Sequence, residues 1–154
     1  MDTERTASNL AFLEDDVEVL GEAEALALAA TVTIGRVVYS RFALPAVQVV
    51  NFALDGRDVV IPTREGAKIG AALADCVVTF EVDRIDEATD SGWTVTLTGL
   101  SRLVTDPAEC QRLAASAIDP WGAGDRGHFI RIGTQVVAGW RIGPQDLGTL
   151  TGGT

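Results

Sequence analysis

At 154 residues the chain has the length of one domain, long enough to bury about two-thirds of its unfolded surface without disulfides or a metal. Apolar residues make up 47% and charged residues 22%, the balance of a globular protein, and no apolar run nears the roughly 20 residues of a membrane span. Twelve basic against 22 acidic residues leave a charge of −10, which excludes a nonspecific nucleic-acid binder, whose phosphate contacts need a basic face.

The first sixteen residues are acidic and without periodicity, and read as a partly flexible N-terminal segment. They lack the basic patch and apolar stretch of a secretory signal, so a cytoplasmic protein is expected. A helix is predicted over 22–30, with Glu22 and Glu24 in the first turn, where the positive helix end favours them. The β-branched run Val37-Val38-Tyr39 reads as a first strand, and residues 47–54 as a second. Asp55-Gly56 then signals a tight hairpin, with residues 58–63 returning antiparallel. Residues 65–74 fit a short helix with Ile69 and Leu73 on one face.

A long strand is expected over 76–85, and the alternation Trp-Thr-Val-Thr-Leu-Thr over 93–98 marks a half-buried one. Gly99 permits a bend or bulge before that strand continues to Val104. Asp106-Pro107-Ala108-Glu109 combines a capping acceptor, proline at the first helical position and a reciprocal glutamate. Residues 120–127 read as a loop, and two strands, 128–132 and 135–142, close the domain with a junction at Gly133-Thr134. The Gly/Thr-rich residues 144–154 read as a flexible tail. The expected fold is mainly β, over 17–143: a six- to seven-stranded antiparallel split β-barrel of Greek-key type with two or three short covering helices. Strands without βαβ alternation exclude a doubly wound sheet.

The residues with the clearest chemistry lie between the third strand and the short helix. Arg64 and Lys68 stand four apart around a helix start, where the dipole disfavours cations, and an anion would resolve the conflict. With the Thr63 hydroxyl they make a phosphate cradle; the alternative is that Lys68 pairs with Glu65 on a solvated face. His128 has no carboxylate partner nearby in sequence, so a structural role is expected for it. Trp93, Trp121 and Trp140 read as packing residues, with Trp121 the one to place near a ligand. Asp83, Asp86 and Glu87 read as a solvated turn. Cys76 and Cys110 read as buried free thiols, and a single histidine leaves no zinc site.

Several stretches together resemble the pyridoxamine 5′-phosphate oxidase-like, FMN-binding split-barrel family. They are Gly35 to Tyr39, Pro45 to Asn51, the Ala53-Leu54-Asp55-Gly56 hairpin, Thr63 with Gly66 and Lys68, Phe80-Glu81-Val82-Asp83, Gly92-Trp93 before a strand reaching Gly99, and Thr105-Asp106-Pro107. The last three resemble its small, uncharacterised bacterial branch. The resemblance implies an FMN-dependent oxidoreductase, a homodimer holding the flavin between subunits; the alternatives are a nonenzymatic protein binding deazaflavin or haem on the same barrel, and a barrel without cofactor that serves as a dimeric scaffold. It places Val49, Val50 and Asn51 beside the ring, Ile61 and Pro62 along the approach, and Thr63 and Lys68 at the phosphate.

The chain departs from that pattern where relatives often carry an arginine at Pro62 and a serine at Ala67, with Arg64 offering a replacement cation. It also lacks a C-terminal basic substrate motif, so oxidation of pyridoxamine phosphate itself is not expected. No catalytic residue or metal ligand is assigned from the sequence.

Overall fold

The computed structural model describes residues 17–64, 68–116 and 128–143. The acidic N-terminal segment, the C-terminal tail and Trp121 lie outside them. Within them run β1 (Val17–Val19), α1 (Glu22–Ala29), β2 (Ile34–Arg41), β3 (Leu44–Asn51), β4 (Ala53–Asp55), β5 (Asp58–Thr63), α2 (Lys68–Leu73), β6 (Cys76–Asp86), β7 (Ser91–Val104), α3 (Pro107–Ala115) and β8 (His128–Ile142).

All eight strands join one antiparallel sheet in the order β3-β2-β6-β7-β8-β5-β4, with β1 added to β8. Strands adjacent in sequence, such as β5 and β6, are far apart in the sheet, as Greek-key connections require. The path does not close. β3 turns into β4 at Phe52, and of these two only β4 pairs with β5. β3 and β5 touch without a ladder between them, and that seam is the split of the barrel.

The strand count differs from expectation for three local reasons. β1, with the pattern Val-Glu-Val, is too short to show a period, and finds its partners in Ile142, Arg141 and Trp140. The apolar run 47–54 divides because Phe52 leaves the ladder to enter the core, its ring 4.7 Å from that of Phe80. The two expected closing strands are instead one, β8. The register steps from Thr98 opposite Val136 to Gly99 opposite Thr134, so Gln135 is the extra residue of a bulge. The bulge is why Gly99 is glycine: a Cβ there would run into the Gly133 carbonyl.

The inner face of the sheet forms the main core around Val37, Phe52, Ile61, Phe80, Leu97 and Ile130. α1 closes one side of it, its small Ala25 resting where Gly139 leaves room. α2 contributes Ile69 and Leu73 to the same core. α2 is shorter among the described residues than the 65–74 expected. On the other face α3 lays Leu113 over Val60, Val104 and Phe129. Its cap is half of what the sequence predicts: Asp106 Oδ2 accepts from the Glu109 backbone N–H at 3.2 Å, but the Glu109 side chain turns to arginines instead. Cys76 and Cys110 are free thiols, half-buried rather than buried.

Candidate functional site

Along β3 the side chains alternate between the two faces of the sheet. Val50 points inward and packs on the core. Val47 and Val49 point outward and are each 62% exposed, an unusual state for valine in a sheet. Asn51, on that same outer side by alternation, is half-buried opposite Ile34, and Val49 stands opposite Arg36. Of the three residues the sequence puts beside a ring, two share the outer face and one belongs to the core.

A shallow depression of about 370 Å³ lies on the neighbouring strands β2 and β6, lined by Ile34, Arg36, Asp83, Arg84 and the 31–33 connection. Arg36 Nη1 donates to Glu81 Oε2 and to Asp83 Oδ2, both at 3.0 Å. Thr94 Oγ1 donates to Glu81 Oε1 at 3.3 Å. Burial, and then the neighbouring Asp83 carboxylate, push the Glu81 carboxyl up to about 7 despite Arg36. Glu81 stands one strand removed from β3, opposite Arg36 of β2. Asp83 is a strand residue bound to Arg36, not part of the solvated turn expected from the sequence. In the pattern Phe80-Glu81-Val82-Asp83 the two carboxylates fall on one face with period 2, and that spacing was the signal to read.

Ile61 is fully buried in the core, while Pro62 and Thr63 are half-buried and Arg64 and Lys68 exposed. The β4–β5 register pairs Ala53 with Val60. Continued past Phe52, it carries Pro62 toward Asn51 across the seam. The segments 49–51 and 61–63, ten residues apart in the chain, thus flank the same opening. Neither Arg64 nor Lys68 makes an ion pair among the described residues. Trp93 is core and Trp140 half-buried. His128 is exposed, at the head of a strand whose next four residues are buried. The structural role expected of it is therefore not a place in the core.

A second polar cluster escaped the sequence reading entirely. Arg131, its side chain 9% exposed, donates to Asp55 Oδ2 at 2.6 Å, Asp58 Oδ2 at 3.0 Å and Glu109 Oε1 at 2.9 Å. Arg112 adds a bond to Asp55 and Arg102 one to Glu109. The cluster ties α3 to the β4–β5 hairpin and to β8. An arginine in the apolar run Phe129-Ile130-Arg131-Ile132 was its only trace in the sequence, since its partners lie up to 76 residues away.

Residues 21–138 match the family model described as pyridoxamine 5′-phosphate oxidase. The chain is 38% identical over 133 residues to the uncharacterized protein Rv0080 of Mycobacterium tuberculosis, an alignment covering 82% of this chain and 86% of that one. Among solved structures, it resembles the FAD binding protein from Mycobacterium smegmatis with a TM-score of 0.64 and 27% identity, over 82% of this chain and 98% of that one. It resembles a conserved protein of unknown function from Corynebacterium diphtheriae with a TM-score of 0.70 and 29% identity, over 83% and 99%. Split sheet, covering helices and a family match over most of the chain agree, and the chain belongs to the pyridoxamine 5′-phosphate oxidase family.

Proposed function

We propose that the protein is a flavin-dependent oxidoreductase of the cytosol, holding FMN between two copies of the chain. The observation that carries this reading is the seam between β3 and β5. Its β3 side carries an exposed apolar strip, Val47 and Val49, with the Arg36 guanidinium on the neighbouring strand β2, and its β5 side ends in Thr63, with Arg64 and Lys68 following. The residues present fit the group: apolar surface for a ring, polar donors for its edge, and cations for a phosphate. A bound flavin supplies hydride transfer, so the protein needs only to hold and orient it and to admit substrate.

In this reading Val49 and Asn51 border the ring from the outer face, with Val50 behind them as support. Ile61 and Pro62 shape the approach, and Thr63, Arg64 and Lys68 hold the phosphate; Trp121 is a further candidate beside the ligand. A second copy covers the exposed valines, which a lone protein rarely leaves bare.

Similarity to an FAD binding protein favours one second reading, with FAD in place of FMN on the same seam. The absorption spectrum of the purified protein, followed by titration with FMN, FAD and deazaflavin, decides between them. FMN bound tightest, and weakened at least tenfold by Lys68→Ala, is the expected outcome. A Soret band, or no binding of any flavin, overturns the reading. Sedimentation at micromolar concentration tests the dimer, and a monomer there overturns the shared site.

A further inference from the structure

We propose that His128 belongs to the anion-holding group, gripping the terminal phosphate of the mononucleotide together with Thr63, Arg64 and Lys68. This rests on the flavin reading above. Thr63 and His128 are the last pair of the β5–β8 ladder. Residues directly opposite in an antiparallel pair carry their Cβ atoms about 5 Å apart on the same face. Two residues back along both strands, Ile61 faces Ile130, and both are core. Thr63 and His128 therefore continue the inner face of the barrel to its rim, where burial gives way to solvent.

α2 closes over the same end. Its Gly70 lies against the Leu103 side chain, and Leu103 is the β7 partner of Ile130. Lys68 opens that helix and Arg64 leaves β5 directly after Thr63. Three separate parts of the chain thus bring a hydroxyl, two permanent cations and an imidazole to one rim, on a molecule whose net charge is −10. Cations that pair with no carboxylate among the described residues suit a phosphate monoester, which accepts several charge-assisted hydrogen bonds at once. Sequence reasoning gave His128 no partner because that partner, Thr63, is 65 positions earlier in the chain and is set by strand register.

The test compares FMN with riboflavin, which has the same ring and no phosphate. Fluorescence titrations measure both affinities for the wild type, His128→Ala and His128→Gln. His128→Ala is expected to weaken FMN about tenfold and leave riboflavin unchanged, with His128→Gln recovering part of the loss. Inorganic phosphate is expected to compete with FMN in the wild type, and less well in His128→Ala. Equal losses for FMN and riboflavin, or no loss for either, overturn the assignment. Equal wild-type affinities overturn the whole phosphate rim while leaving a flavin site standing. Absence of any flavin binding overturns both. The exposed position of His128 keeps the fold out of the comparison, and melting temperatures within a degree or two of wild type verify that.

Discussion

Replacing Arg131 with methionine keeps the aliphatic stem and removes the charge that three carboxylates share. After the change Asp55 retains Arg112 and Glu109 retains Arg102, while Asp58 keeps only the Thr134 backbone N–H. Removing one partner of a buried ion pair costs about 3–5 kcal/mol. Here the carboxylates are 19–32% exposed, so water offsets part of it, and the expected loss is about 2–4 kcal/mol. For a domain of this size that lowers Tm by about 5–15 °C.

The loss carries a pH signature. The hydrogen bond from Arg131 holds the Asp55 carboxyl below the usual carboxylate range. Burial works to raise Glu109, but Arg102 and Arg131 outweigh it and its carboxyl is lowered too. Groups depressed in the folded state stabilise it above their unfolded pKa, about 4, and that stability drains as pH falls through the folded value. The gap between wild type and Arg131→Met is therefore widest at pH 7 and narrows below about pH 4. Urea unfolding followed by the fluorescence of buried Trp93, at pH 7 and pH 3.5, measures both. A gap under about 1 kcal/mol at pH 7, or one equal at both pH values, refutes the reasoning.

Other outcomes follow from the same geometry. Glu81 has the opposite sign: its folded pKa is raised to about 7, so stability falls as pH rises from the unfolded value near 4.3 to 7. Glu81→Gln flattens the wild-type stability curve across that window, and an unchanged slope contradicts the assignment. The β2–β3 turn places Phe42 and Ala43 at φ of 52° and 61°, where asparagine and glycine are at ease. Replacing the pair with Asn-Gly is expected to raise stability by about 1–2 kcal/mol in chemical denaturation. Gly99→Ala forces a methyl onto the Gly133 carbonyl, and is expected to leave little soluble folded protein, whereas Gly133→Ala, whose methyl would meet only the Leu100 carbonyl oxygen at an ordinary 3.7 Å, folds.

The hairpin at Asp55-Gly56, the bulge at Gly99 and the proline-led start of α3 were legible because each is encoded by adjacent residues with one physical reading. The outward valines of β3 were legible only as a strand, since Val47 to Val50 alone do not say which face is covered. What was not legible depends on register. Glu81 and Asp83 meet Arg36 because β2 pairs with β6, and Arg131 reaches Asp55 because β8 lies beside β5. Thr63 and His128 were each visible and stayed unconnected for the same reason. The expected helix start after Thr63 and its phosphate cradle were both read from local charge, and the family resemblance then pointed to the same residues, Thr63 and Lys68.

The place of β8 in the sheet bears on how the chain is made. Three pairs, β2–β3, β4–β5 and β6–β7, join strands adjacent in sequence, so both partners of each are available early in synthesis. β8, the last of the described strands, is the common neighbour of β1, β5 and β7. Until it arrives, β7 from Gly92 to Val104 and β5 from Val59 to Thr63 each have a flank without its ladder partner. The growing chain thus carries open strand edges until β8 is made. Such late, long-range pairing is slow and leaves the newborn chain exposed to aggregation, so its yield in cells should follow chaperone supply and translation temperature more closely than the stability of the finished protein.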